Sequence, residues 1–279
     1  MQETLIRWFK HIDTRWCYWI VLLWVPGSLL FQPKATRGAW RYWRQRQHKN
    51  VLQACYWMLR QYFAFGDVIM DRFAAYAGQQ FDIRQDDSEG VMARLQDGDS
   101  GFIVISSHVG NQELAGYFTH SKKPMRVLIY TGDTATVNAN RERLFRETGL
   151  SFIPMEQDGS HIFEMHQALE RGEILSIHGD RSFYGGRTMR TRLLGAEAAF
   201  PEGPFRVAAM ERVPVVTMFM LREGHQRYTL RICPLSKPED ADLTRDELSQ
   251  ALLMRFAASL EKVIANRPEQ WFHFYDFWA

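Results

Sequence analysis

Residues 101–113 read Gly-Phe-Ile-Val-Ile-Ser-Ser-His-Val-Gly-Asn-Gln-Glu. The run from Gly101 to Ser106 is continuously apolar up to its serine, as expected of a parallel strand buried on both faces. His108 follows in a turn, and Asn111 to Phe118 has the pattern of a helix. Ligands and catalytic groups of α/β sheets gather at such carboxyl ends of strands. On an ideal helix five residues turn through roughly 500°, which leaves His108 and Glu113 about 140° apart. They meet only if His108 lies outside the helix, in the turn, which Gly110 permits. Glu113 then accepts a hydrogen bond from one imidazole nitrogen. The other nitrogen is free to take a proton from an alcohol or amine. A satisfied polar pair in a loop is the other reading of the same spacing.

The same rhythm continues on both sides. Val51 to Tyr76 is apolar at helical spacing (Leu52, Tyr56, Leu59, Phe63) and predicts one or two helices. Phe81 to Ile83 predicts a short strand, and Glu89 to Gln96 a helix ending at Asp97-Gly98. Further strands are expected at Arg126–Tyr130, Glu173–Ile177, Pro214–Leu221 and Tyr228–Cys233, the last two as a hairpin. Helices are expected at 138–148, 160–171, 204–211 and 244–266. In the last, Thr244 and Glu247 form a capping box. Arg187, Arg190 and Arg192 fall in an apparent Gly-containing loop. The pattern implies an α/β fold: a mixed, mostly parallel sheet flanked by helices.

The chain has 279 residues, 24% of them charged, and a net charge of +2. This excludes collagen-like, disordered and strongly basic nucleic-acid-binding classes. Cys17, Cys55 and Cys233 are far apart and form no CxxC pair, so neither a disulfide scaffold nor a thiolate metal site is expected. There is no HExxH, and His120, His161, His166 and His178 show no paired ligand spacing.

Charge is unevenly spread. Residues 1–60 hold ten Lys/Arg against Glu3 and Asp13, a net of +8, while the remainder carries −6. Trp16 to Phe31 is sixteen residues without a charge, below the ~20 needed to span a bilayer core. Pro26-Gly27 interrupts it. Six tryptophans (Trp8 to Trp43) and the basic run Arg37 to Lys49 suit an interfacial anchor at anionic headgroups. Residues 1–50 therefore read as a membrane-associating helical segment, a monotopic or re-entrant anchor on the cytoplasmic face, and 51–279 as the globular domain. An aromatic core helix is the alternative.

Asp180 and Arg181 follow the expected strand Glu173–Ile177, again at a carboxyl end. They read either as a local ion pair or as Arg181 contacting a phosphate or thioester oxygen with Asp180 holding it.

Taken together, these strings resemble a family. His108-Val-Gly-Asn-Gln-Glu113 matches the His-x4-acid motif of the glycerolipid acyltransferase superfamily. Ile177-His-Gly-Asp180-Arg181 with Gly185-Gly186, Phe200-Pro-Glu-Gly-Pro204, Val213-Pro-Val-Val216 and Pro268-Glu-Gln-Trp271 follow in the order of its lipid A late-acyltransferase branch. The resemblance implies transfer of an acyl chain from a thioester donor, acyl carrier protein or acyl-CoA, to a hydroxyl of a lipid or saccharolipid acceptor. It implies His108 as general base and Glu113 as its orienting partner. Asn111, Asp180, Arg181 and Arg187 become candidate substrate contacts. No metal or cofactor is implied, and no nucleic acid. The resemblance also implies that 51–279 is an acyltransferase domain and that the membrane is the inner one.

Two segments depart from the lipid A pattern. Tyr130-Thr-Gly-Asp133 and Arg141 stand where Tyr-Arg-Pro-Asn is usual. The tail Trp271-Phe-His-Phe-Tyr-Asp-Phe-Trp278 lacks the usual His-Arg-Arg. This tail, with Phe65-Gly-Asp67 and Asp71-Arg72-Phe73, is similar to acyltransferases of aryl polyene and flexirubin pigment pathways. Such a tail suits an apolar acceptor or the bilayer surface; packing on the core is the other reading. The rival classes are a non-catalytic membrane- or carrier-binding homologue and a thioester hydrolase.

Overall fold

Ile103 and Ile105 point into one apolar core and Phe102 and Val104 into another, so the 101–106 run is the middle of a sheet covered on both faces. The computed structural model describes residues 18–19, 21–22, 25, 27, 29, 31–87, 89–118, 121–130, 150–156, 158–181 and 186–278. Within these residues the chain runs α1 (Pro33–Arg41), a π-helical turn (Tyr42–Arg46), α2 (Val51–Tyr76), β1 (Asp82–Asp86), α3 (Val91–Asp97), β2 (Phe102–Gly110) and α4 (Gln112–Phe118). It continues with β3 (Met125–Tyr130), β4 (Leu150–Met155), α5 (Ser160–Glu170), β5 (Ile174–His178), β6 (Thr188–Leu193) and β7 (Ala196–Pro201). α6 (Gly203–Glu211), β8 (Val215–Gly224), β9 (Arg227–Pro234) and α7 (Arg245–Asn266) complete it.

Seven strands form one sheet in the order β1-β9-β8-β2-β5-β3-β4. Every adjacent pair is parallel except β8–β9, the expected hairpin. Helices α5, α6 and α7 cover one face through Met165, Phe205, Leu252, Phe256 and Leu260. Leu114, Val91, Met92 and Ala75 from α4, α3 and α2 cover the other. Tyr42 and Trp43, from the segment read as membrane-directed, are buried in the first core.

Local signals set several boundaries. Asn50 accepts a bond from the Gln53 N–H and Gln53 reciprocates, a capping box that starts α2. The expected Thr244–Glu247 box starts α7. The expected helix at 138–148 and the Tyr130-Thr-Gly-Asp133 contact lie outside the described residues, apart from the backbone of Tyr130.

Two features differ from expectation. Arg190 and Arg192 of the supposed arginine loop lie on the hairpin β6–β7, closed at Leu194-Gly195 with φ of 49° and 76°, and Arg187 immediately precedes it. Two consecutive positive φ values are the mark of a type I′ turn, whose twist matches that of its strands. β4 carries Pro154 in mid-strand, which argues against a strand in sequence; it is tolerated because β4 is the last strand of the order.

Four described residues of the 18–31 stretch, Tyr18, Val21, Val25 and Leu29, pack with or bond residues of α2, while Trp19, Leu22 and Phe31 are exposed. Val21 packs over Gly66, where a side chain would collide with it, and Val25 is fully buried beside Ala39 and Tyr62. Among the described residues no helix is long and apolar enough to cross a membrane.

Candidate active site

β2 is longer than the sequence pattern suggests. It runs through His108 to Gly110, so His108 belongs to the strand end and not to a free turn. From Ser106 to Gly110 the strand advances four positions while its neighbour β8 advances two, from Met218 to Met220. Such a bulge re-aims side chains at a sheet edge or site. Gly110 makes it possible. Its φ is +68°, and a Cβ there would lie 1.9 Å from the Met220 carbonyl oxygen.

β5 runs parallel to β2 with Ser106 opposite His178. Two residues further along each chain stand His108 and Asp180, and they meet. His108 Nδ1 lies 2.7 Å from Asp180 Oδ1, and the His108 backbone N–H donates to Oδ2 at 2.7 Å. Asp180 is 1% exposed. Burial by itself would raise its carboxyl. The positive field and hydrogen bonds of His108, with His178 nearby, outweigh this and bring it down to about 2. Asp180 is therefore a carboxylate at neutral pH and an acceptor only. The proton on the shared bond belongs to His108 Nδ1, so Nε2 is the nitrogen that carries the lone pair in the neutral imidazole.

Glu113 sits elsewhere. It lies in the first turn of α4, where Arg72 Nη1 donates to it at 3.1 Å and the Tyr76 hydroxyl bonds its other oxygen. The expected His108–Glu113 contact is thus replaced by His108–Asp180. The two bulge residues swing His108 toward β5, and α2 supplies the partners of Glu113. Asn111 is 2% exposed, bonds the Val68 carbonyl and accepts from the Leu114 N–H, so it caps α4 and ties it to α2. Arg181 does not pair with Asp180; its guanidinium lies 5.4 Å from the centre of the Tyr275 ring.

A cavity of about 480 Å³ opens on the side of His178 and Arg181, the sequence neighbours of Asp180; His108 and Asp180 do not themselves line it. Leu128, Met155, Met165, Ile177 and Val207 give it apolar walls, and His178, Arg181 and Arg187 also line it. The His178 ring centre is 4.7 Å from that of His108, and its Nδ1 bonds Ser106 Oγ at 2.7 Å. The Phe200-Pro-Glu-Gly-Pro204 string ends β7 and starts α6 along the same cavity.

A family model described as bacterial lipid A biosynthesis acyltransferase matches residues 63–279. The chain belongs to that family. Among curated proteins no relative matches it. As a member of this acyltransferase family, the chain takes an acyl donor and a lipid acceptor.

Sequence reasoning placed Asp180 near the site but assigned it to Arg181. The signal for the better assignment was topological: two adjacent parallel strands each carry a polar residue just past matching positions. The role of the tail was legible only in part. Trp271 is completely buried and Phe277 is 4% exposed, so these two pack into the core, while Phe274, Tyr275 and Trp278 stay half-buried.

Proposed function

We propose that the protein moves a fatty acyl chain from an acyl thioester on acyl carrier protein to a hydroxyl of a membrane lipid or saccharolipid. His108 is the general base and Asp180 holds and charges it. The observation that carries this reading is the His108 Nδ1–Asp180 Oδ1 bond of 2.7 Å, made by a partly exposed imidazole to a buried carboxylate, with a largely apolar cavity lined by the neighbouring His178 and Arg181.

The steps balance without a covalent enzyme intermediate. His108 Nε2 takes the hydroxyl proton as the acceptor oxygen attacks the thioester carbonyl. The imidazolium formed is stabilised by the Asp180 carboxylate. The tetrahedral intermediate collapses, the C–S bond breaks, and the leaving thiolate recovers the proton from Nε2. The apolar cavity supports seating of the acyl chain, and Arg181 and Arg187 at its wall suit the phosphate of a carrier arm or headgroup. Glu113 is then a residue that fixes Arg72 and Tyr76 near the site.

The reaction is placed at the cytoplasmic face of the inner membrane. From Phe31 to Gly66 the chain has seven Lys/Arg and no Asp/Glu. Val51, Leu52, Tyr56 and Leu59 are exposed on the first turns of α2. Cations around an apolar helix face suit an anionic bilayer surface.

The test uses full-length protein in detergent, labelled acyl carrier protein and total lipid from a Gram-negative membrane. An acylated lipid seen by mass spectrometry, absent with His108→Ala, supports the reading and distinguishes a saccharolipid from a pigment lipid. Free acid alone, lost in the same variant, would assign a thioesterase instead.

A further inference from the structure

We propose that Trp271 is a positioning residue for the acid–base pair, working through Asp180. The Asp180 carboxylate has two oxygens and a defined set of donors. Oδ1 takes the His108 ring. Oδ2 takes the His108 backbone N–H and the Trp271 indole N–H, the latter at 3.1 Å. The Tyr275 hydroxyl donates to the Asp180 carbonyl at 2.7 Å. A carboxylate buried to 1% exposure is costly unless its lone pairs are filled, and an indole N–H fills one without adding a competing charge.

The chain holds this donor in place with care. Gln270 bonds the Arg222 backbone on both sides, accepting from its N–H at 2.9 Å and donating to its carbonyl at 2.8 Å. This pins the Pro268–Gln270 turn to β8. Val109 and Trp271 then form an antiparallel bridge, and the Phe272 N–H donates to the His108 carbonyl at 2.8 Å. The Trp271 carbonyl accepts from Gln61, whose own amide oxygen takes the Trp43 indole N–H. The tail thus joins the bulge of β2 through a single bridge, and its first residue completes the shell around Asp180. Pro268-Glu-Gln-Trp271 acquires a use from this: glutamine registers the tail, tryptophan orients the carboxylate.

Removing the indole N–H leaves Oδ2 with one donor fewer and the carboxylate with more uncompensated charge toward His108. Around the His108–Asp180 pair the titratable and charged groups are His178 on β5 beside His108, and Arg181, His273 and Tyr275 on the side of Asp180. The experiment compares Trp271→Phe with Trp278→Phe in full-length protein with isotope-labelled histidine. Trp278 packs edge-on against the Trp271 ring, 5.9 Å between centres, but donates its indole N–H to the Leu193 carbonyl and not to Asp180, so it is the control for lost packing without the carboxylate bond. Trp271→Phe is expected to raise the His108 titration midpoint by about 0.5 unit or more, and to lower kcat roughly tenfold at unchanged KM. Trp278→Phe is expected to do neither. Equal behaviour of the two variants overturns the proposal. Should Trp271→Phe fail to fold, the wild-type Trp271 indole N–H resonance is followed with pH; it is expected to move with the His108 titration, and a resonance that stays fixed overturns the proposal. The proposal shares the acyl-transfer reading only in its kinetic arm. The resonance titrations read the Trp271–Asp180–His108 connection even if His108→Ala proves that reading wrong.

Discussion

His108 and Asp180 are 72 residues apart in sequence and joined by two hydrogen bonds to the two oxygens of one carboxylate. Ser106 and His178 face each other across β2 and β5, and the Gly179 N–H donates to the Ser106 carbonyl at 2.8 Å just beyond them. The pair should therefore act as a unit. His108→Ala is expected to lower kcat by about 10²–10⁴, the usual contribution of a positioned base. Asp180→Asn is expected to fall in the same range, and the double variant to be little worse than either. Steady-state kinetics on the three variants checks this; losses that multiply would separate the two residues.

Asp71 is the other fully buried carboxylate of consequence. It accepts from Tyr18 Oη at 2.6 Å, Tyr228 Oη at 2.6 Å and Arg222 Nε at 2.9 Å, while Asp67 pairs with Arg222 at 3.1 Å. This cluster ties the N-terminal stretch, α2, β8 and β9 to one point. Asp71→Ala leaves a buried guanidinium short of a partner, and a destabilisation of about 3–5 kcal/mol is expected by urea denaturation. A midpoint unchanged from wild type would show that the cluster contributes nothing net.

His273 is 2% exposed, and burial lowers its pKa to about 4 against weaker opposing effects of the Trp271 carbonyl and nearby acids. An unfolded histidine takes a proton below about pH 6.5, so between 6.5 and 4 the unfolded chain binds more protons than the native one. Stability is lost as pH falls through that window, by up to about 3 kcal/mol for this group. Asp67 acts with the opposite sign: burial raises its carboxyl to about 6, so its contribution is present below about pH 4 and lost as pH rises to 6. His273→Phe is expected to remove the first slope and leave the second. Denaturation midpoints at closely spaced pH values decide it, and a pH profile parallel to wild type would refute the assignment.

Val207 lies on α6 with its side chain against the cavity. Val207→Trp should fill part of the roughly 480 Å³ and move preference toward shorter acyl donors. Each methylene in an apolar pocket is worth about 1–3 kcal/mol, so a tenfold or larger change in the ratio of kcat/KM between long and short donors is expected. An unchanged ratio would remove the cavity from chain binding.

What the amino-acid sequence determined by itself was local. The apolar run to Ser106, the Thr244–Glu247 box and the spacing of Val51–Tyr76 each report a period or a cap carried by neighbouring residues; the two helices formed with boundaries close to those expected, while the strand ran on to Gly110. The seven-strand order could be anticipated in kind, as a mostly parallel sheet, because strands alternate with helices. The tertiary structure decided the rest. Which acid faces His108 depends on strand adjacency and a two-residue bulge, and neither leaves a periodic trace. The near acid, Glu113, is close along the chain but was claimed by Arg72 and Tyr76 from α2; the far one, Asp180, was delivered by the register of β5. The aromatic tail likewise reads as surface or core until a partner is known, and Gln270 on the β8 backbone is what places Trp271 beneath the carboxylate. Proximity in sequence sets secondary structure because its hydrogen bonds are short-range; the site was set by which buried donors and acceptors had no other way to be satisfied.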